Sequence, residues 1–189
     1  NRVWRDADNS GTINPPDDAD PGIGGVLVHL YEDSNTDGVP DDINNPIATT
    51  ITDVAVPGVS EAGYYLFSNL PEGNYIVGIP ADNFSDIGAG DLVPTDPLAG
   101  LHSSTGTPAE IKYTTSPQDN NVDSEDHGID TTAPPVASTE VFSPTIELSF
   151  DDEPKNESDL SGDDADGLEG ARRGTNAETD ANSDLTVDF

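Results

Sequence analysis

Glycine and proline recur every few residues along this chain, 18 and 16 of them in 189 positions, and helical signals are nearly missing between them. What stands between the breaks is short runs of alternating β-branched and aromatic residues. In 25–31, Val26, Val28 and Leu30 share one face and Leu27 and His29 the other. The run 47–51 is a second candidate strand. In 64–70, Tyr65 and Phe67 align; after the turn Pro71-Glu72-Gly73, 74–79 aligns Tyr75, Val77 and Ile79, so the two runs read as a hairpin. Runs at 109–114, 145–150 (Ile146, Leu148 and Phe150 aligned), 184–189 (Leu185, Val187 and Phe189 aligned) and 2–5 bring the expected number to about eight. Period-two patterning with this punctuation predicts an all-β protein, an antiparallel β-sandwich.

The breaks between strands are long and acidic: roughly 6–20, 33–45, 80–108, 117–135 and 151–182. Loops of that length need a reason. The last is read as an acidic insertion ahead of the final strand within a single domain over 1–189, because 185–189 needs a sheet to join. The competing reading is a linker that splits off that strand. The opening Asn1-Arg2-Val3-Trp4 reads as the middle of a longer polypeptide.

Charge sharpens the problem. The chain carries 38 acids against 6 bases, a formal net charge of -32, with 32% hydrophobic residues. Such a chain repels itself, and scattered apolar residues at that level would signal disorder. The ordered patterning implies instead that something neutralises the acids. They are 27 Asp and 11 Glu, the bias expected of turns and of oxygen-lined cation sites. A solvated acidic surface, as in salt adaptation, is the competing explanation. A phosphate backbone would be repelled, which argues against nucleic acid as a partner. No apolar run approaches the roughly 20 residues a membrane helix needs. Cysteine is absent, so disulfides and thiolate metal sites are excluded.

The spacing of the acids argues for more than a solvated surface. Counting from Asp6 as position 1, side-chain oxygens fall on Asp6, Asp8, Ser10, Asn14 and Asp17, at positions 1, 3, 5, 9 and 12 of the EF-hand calcium loop, with Gly11 at 6 and the carbonyl of Thr12 at 7. Calcium takes six to eight oxygens; alternate residues of a turning chain point inward, and glycine permits the bend. The second loop repeats the pattern with Asp33, Asn35, Asp37, Gly38 and the carbonyl of Val39, and Asp41 or Asp42 closes it. The flanks are not helical, so these are calcium loops without the EF-hand fold. Asp18 and Asp20 can serve either ion. A looser cluster contains Asp119, Asp123 and Asp126, with Asn120, Asn121 and Asp130; weaker ones are Asp159, Asp163, Asp164, Asp166 and Glu169, and Asp180, Asn182 and Asp184. Two or more Ca2+ ions are expected.

Catalytic constellations are missing. His29, His102 and His127 have no metal-ligand spacing, and His29 reads as a strand surface residue. No serine sits in a strand-turn-helix elbow. With 38 acids, carboxylate pairs carry no signal. The expectation is a protein without enzymatic activity.

Val3-Trp4-x-Asp6-x-Asp8-x-Ser10-Gly11, Pro21-Gly22-Ile23-x-Gly25-Val26-x-Val28-x-Leu30, Gly63-Tyr64-Tyr65-x-Phe67-x-Asn69-Leu70-Pro71-x-Gly73-x-Tyr75-x-Val77 and the final Leu185-Thr186-Val187-Asp188-Phe189 together resemble the SdrD B-like domains, the B-type repeats of serine-aspartate repeat surface proteins, related to collagen-adhesin B-type modules. The resemblance implies a prealbumin-like or immunoglobulin-like sandwich, tight calcium binding, and strings of copies on bacterial surfaces. Two departures stand out. The second calcium loop and the insertion after Phe150 lengthen this copy. The Lys-to-Asn isopeptide bond of some collagen-adhesin relatives would have only Lys112 and Lys155 to draw on, neither in the first strand.

The expected function is therefore a calcium-stabilised structural repeat of an extracellular stalk, fibre or filament, whose partners are neighbouring copies in tandem or as filament subunits. The alternative is a calcium-dependent adhesin module that binds a host or matrix protein or a glycan. An accessory domain beside a secreted enzyme is a third class.

Overall fold

The computed structural model describes residues 2–6, 21–54, 62–84, 96–101, 128–130, 140–150, 187 and 189. Its centre is a six-stranded antiparallel sheet built from β1 (Leu27–Glu32), β2 (Ala48–Ile51), β3 (Gly73–Ile79), β4 (Ile129–Asp130), β5 (Val141–Phe142) and β6 (Ile146–Leu148), in the order β2-β1-β3-β5-β4 with β6 also on β3. A 3-10 turn at Ala81–Asn83 is the only helical element among the described residues. None of them forms a helix long and apolar enough to cross a membrane.

The alternation read in the sequence fixes which face of the sheet is buried. Val26, Val28 and Leu30 join Tyr75, Val77, Ile79, Val141 and Ile146 in the main core. Each such side chain contributes about 1.5–3 kcal/mol when fully buried. The opposite face holds a smaller cluster of Tyr31, Ile76 and Phe142. Gly78 lies beneath it: a Cβ there would stand 2.9 Å from Phe142 Cε1 and 3.0 Å from Tyr31 Cε2.

Strands β5 and β6 are two halves of one strand broken by a bulge. Gly78 and Ile79 pair with Phe142 and Val141, whereas Tyr75 and Asn74 pair with Ile146 and Glu147. The paired residue numbers sum to 220 in the first half and 221 in the second, so one extra residue is inserted between them. The bulge is stitched at Ser143, whose N–H donates to Val77 O (2.8 Å) and whose Oγ accepts from Val77 N–H (3.0 Å). The inserted residue switches the parity, so Val141 and Ile146 both reach the main core.

A separate set of extended segments borders the same core. Ile23 N–H donates to Val3 O, Val3 N–H to Gly63 O and Arg5 N–H to Pro21 O. Phe189 N–H donates to Arg2 O (3.0 Å) and Trp4 N–H to Phe189 O (2.8 Å), the alternation of a parallel pair. Val3, Tyr65 and Val187 are buried in the main cluster, with Phe67, Leu70 and Phe189 packed against it.

The strands expected at 25–31, 47–51 and 74–79 form as β1, β2 and β3. The expected hairpin does not. Tyr64 makes a single bridge to Arg2, residues 65–70 form no strand, and β3 pairs with β1 instead. The cause is local. Asn69 sits at φ 60, which turns the chain out of an extended path, and Tyr65 is spent on the carbonyl of Val187. The strand expected at 145–150 stops at Leu148, and Phe150 is 72% exposed rather than aligned with Ile146. β4 and β5 were not expected; two residues each are too short to show a period. The run 109–114 lies outside the described residues, as does 184–189 apart from Val187 and Phe189.

Candidate cation site

The second acidic loop runs from the end of β1 toward β2, and its first ligand candidate is the most deeply placed. Asp33 follows Tyr31 by strand alternation and is 0% exposed. Its N–H donates to Asn74 O (3.0 Å), which ties the loop to the start of β3. Its Oδ1 accepts from Asp37 N–H (3.1 Å); its Oδ2 accepts from Gly38 N–H (3.1 Å) and from Thr145 Oγ1 (2.5 Å). Gly38 takes φ 77, where an L side chain is strained, so the sharp bend expected at the sixth position is present.

The other oxygens turn the same way. Asn35 Oδ1 accepts from Asp37 N–H (3.3 Å), and Asp37 Oδ1 accepts from Val39 N–H (3.0 Å). Asn35 Nδ2 donates to Asp37 Oδ2 (3.0 Å). The side-chain oxygens of the first, third and fifth positions are thus folded onto the loop's own amides.

Asp41 and Asp42 part company. Asp41 Oδ2 accepts from Ser34 N–H (3.1 Å) and from the Ser34 hydroxyl, returning to the start of the loop. These bonds, hydroxyl first, hold its carboxyl below its ordinary value and keep it ionised. Asp42 faces forward instead: Oδ1 accepts from Asn44 N–H (3.0 Å) and Oδ2 from Asn45 Nδ2 (2.7 Å), an Asx turn into the approach to β2.

Hard cations are held by carboxylate, amide and carbonyl oxygens on a tightly turned loop. The second loop supplies that donor set and that turn, so its residues fit calcium. Among the described residues no three acidic or histidine side chains are grouped as a ready cation cage; the carboxylates of this loop accept from amide and hydroxyl donors without filling every lone-pair position.

Of the first loop, Asp6 is described, half-buried at the end of the opening segment. The bond from Arg5 N–H to Pro21 O (2.9 Å) ties together the two ends of 6–20. Asp8, Ser10, Thr12, Asn14, Asp17, Asp18, Asp20, Asp119, Asp123 and Asp126 lie outside the described residues.

Sequence reasoning missed two polar constellations. One is Thr145 on Asp33, joined across 112 positions. The other is on the Tyr31 face of the sheet. The Tyr31 hydroxyl donates to Glu140 Oε1 (3.0 Å), which leaves Nδ1–H of His29 to donate to the Tyr31 oxygen (2.9 Å). Burial, then Asp82, raises the Glu140 carboxyl, against the pull of the Tyr31 hydroxyl. Burial lowers the His29 imidazole, opposed by Asp82. His29, expected as a strand surface residue, is on β1, half-buried and partnered by Tyr31. Alternation places it beside Tyr31, but no spacing rule brings in Glu140.

The SdrD B-like domain model matches residues 1–151, and the chain belongs to the SdrD B-like domain family. These domains are non-catalytic structural modules, typical of the repeats of surface proteins. Among curated proteins, the chain is 36% identical over 77 residues to Colossin-B of Dictyostelium discoideum, an alignment covering 40% of this chain and 2% of that protein. The chain therefore spans only a small fraction of that relative's length. No solved structure matches the chain.

Proposed function

We propose that this domain is a calcium-stabilised structural repeat of an extracellular surface stalk, fibre or filament, without enzymatic activity. The observation that carries this reading is the second acidic loop, folded around Asp33 between the end of β1, the start of β3 and the β5–β6 bulge. Calcium there would neutralise carboxylates in a chain of net charge -32 and brace three strands at one end of the sheet. One ion that binds only the folded state adds roughly 2.7 kcal/mol at a hundredfold excess over its dissociation constant. Two or more ions, in the loops at 6–20 and 33–42, would decide whether so lightly cored a domain folds.

The first and last segments suit a string of copies. The opening segment and Phe189 run parallel, an arrangement that suits copies joined head to tail. In this reading the segments 2–5, 21–23 and 62–65, with Val187 and Phe189, belong to the second sheet of a sandwich, and the partners are neighbouring copies.

An adhesive reading has its own observation. Val39, Ile43, Ile47, Ile51 and Val54 are all about half exposed or more, and all lie on the loop and edge strand around β2. A host protein or glycan that covers that edge would make the domain an adhesin module.

The experiment is a thermal melt in millimolar calcium and in chelator, beside a calorimetric calcium titration. A large drop in Tm in chelator, with two or more ions titrating, supports the structural repeat. Equal melting in both would overturn it and leave the acids as a solvated surface.

A further inference from the structure

We propose that Thr145 is the positioning residue of the second acidic loop, and that through it cation binding at 33–41 is coupled to strand β6. The proposal rests on the calcium reading of that loop and adds a residue that no loop template contains.

A carboxylate offers about four lone-pair positions, two on each oxygen. On Asp33, Oδ2 takes two donors, Gly38 N–H and Thr145 Oγ1, and is filled. Oδ1 takes one, Asp37 N–H, and keeps one position open. The Thr145 hydroxyl therefore settles which oxygen of the first ligand residue stays available to a cation: Oδ1. It also fixes the rotation of the carboxylate, since a buried group with two filled positions on one oxygen cannot turn without losing both bonds.

Thr145 comes to Asp33 because of the bulge. It lies in the segment between β5 and β6 where one extra residue enters the strand, and bulges re-aim side chains next to functional loops. The next residue, Ile146, pairs with Tyr75 and is buried in the main core. Tightening of the loop on a cation is thereby passed through one hydroxyl to the strand that borders β3.

The test uses the full chain and calcium alone as the probe, with Asp37→Asn marking the titration step that belongs to this loop. Thr145→Val, which keeps the shape and removes the hydroxyl, is expected to weaken that step by about tenfold, the effect of losing a group that orients a ligand. The other steps should not move, and Thr145→Ser should restore it. In the wild type, calcium should also slow amide exchange at Ile146–Leu148, and in Thr145→Val this protection should be lost. Equal loss of all steps would mean a merely structural role and would overturn the proposal. An Asp37-dependent step of wild-type affinity in Thr145→Val would do the same while leaving the calcium reading intact. If Asp37→Asn removes no step, the calcium reading of this loop fails and the proposal with it.

Discussion

The hydroxyl of Tyr65 donates a 2.6 Å hydrogen bond to the carbonyl of Val187, joining residues 122 positions apart inside the main core. Removing the hydroxyl takes a buried hydrogen bond from the core, which costs about 0.5–1.5 kcal/mol. Tyr65→Phe should lower the unfolding free energy by that amount, read as a lower urea midpoint at an unchanged slope, because the surface exposed on unfolding stays the same. A midpoint equal to wild type would show that the final segment is held by packing and by the backbone bonds of Phe189 to Arg2 and Trp4, without help from this hydroxyl.

Asp41 and Asp42 are adjacent, yet their carboxylates serve different ends of the loop. Asp41 returns to Ser34 and Asp42 turns forward to Asn44 and Asn45. In the calcium reading, Asp41 closes the site. Asp41→Asn is then expected to weaken calcium binding by about tenfold or more. Asp42→Asn should leave affinity nearly unchanged and cost only the turn. A titration in which Asp42→Asn is the damaging change would reverse the assignment.

The polar chain of His29, Tyr31 and Glu140 makes stability depend on pH in two opposed ways. Burial raises the folded-state value of Glu140 above its ordinary 4.5. Its contribution is therefore fully present below the unfolded value and is lost as pH rises through the folded one. His29 is lowered from 6.5, again by burial. Its neutral form is favoured in the folded state, so its contribution is present above 6.5 and lost as pH falls through the folded value. Urea midpoints across that range should decline less with rising pH in Glu140→Gln. They should fall less on acidification in His29→Gln. If neither variant changes the slope, the pH dependence comes from the net charge and not from this cluster.

How much of this was legible beforehand follows from the range of each interaction. The strands β1, β2 and β3 announce themselves, because Val26, Val28 and Leu30 or Tyr75, Val77 and Ile79 repeat every second residue. The second loop was legible for the same reason: Asp33, Asn35, Asp37 and Gly38 act over a few residues. The hairpin of 64–70 with 74–79 failed because proximity in sequence favoured it, while Tyr64 was committed to Arg2 and Tyr65 to Val187. Thr145 was invisible because a hydroxyl in Ser-Pro-Thr carries no signal until a bulge, set by register between distant strands, brings it to Asp33. The different courses of the Asp41 and Asp42 carboxylates likewise depend on the backbone path.

Gly78 lies beneath the smaller cluster of Tyr31, Ile76 and Phe142, on the face of the sheet opposite the main core. It pairs with both His29 and Phe142, and the ring of Phe142 meets that of Tyr31 edge-on at 5.9 Å directly over it. A methyl group there would press on both rings, at 2.9 Å from Phe142 and 3.0 Å from Tyr31. Tyr31 cannot give way without breaking its bonds to His29 and Glu140. Phe142, in a two-residue strand, is the ring that must move. Gly78→Ala is therefore expected to cost about 1–3 kcal/mol, the usual effect of overpacking. In a Phe142→Leu background the same change should cost less, because the clashing ring is gone, and a double-mutant cycle should return a coupling of about 0.5 kcal/mol or more. Additive losses would mean that the alanine is accommodated by the backbone of β3 and that Phe142 does not set the size limit at this position.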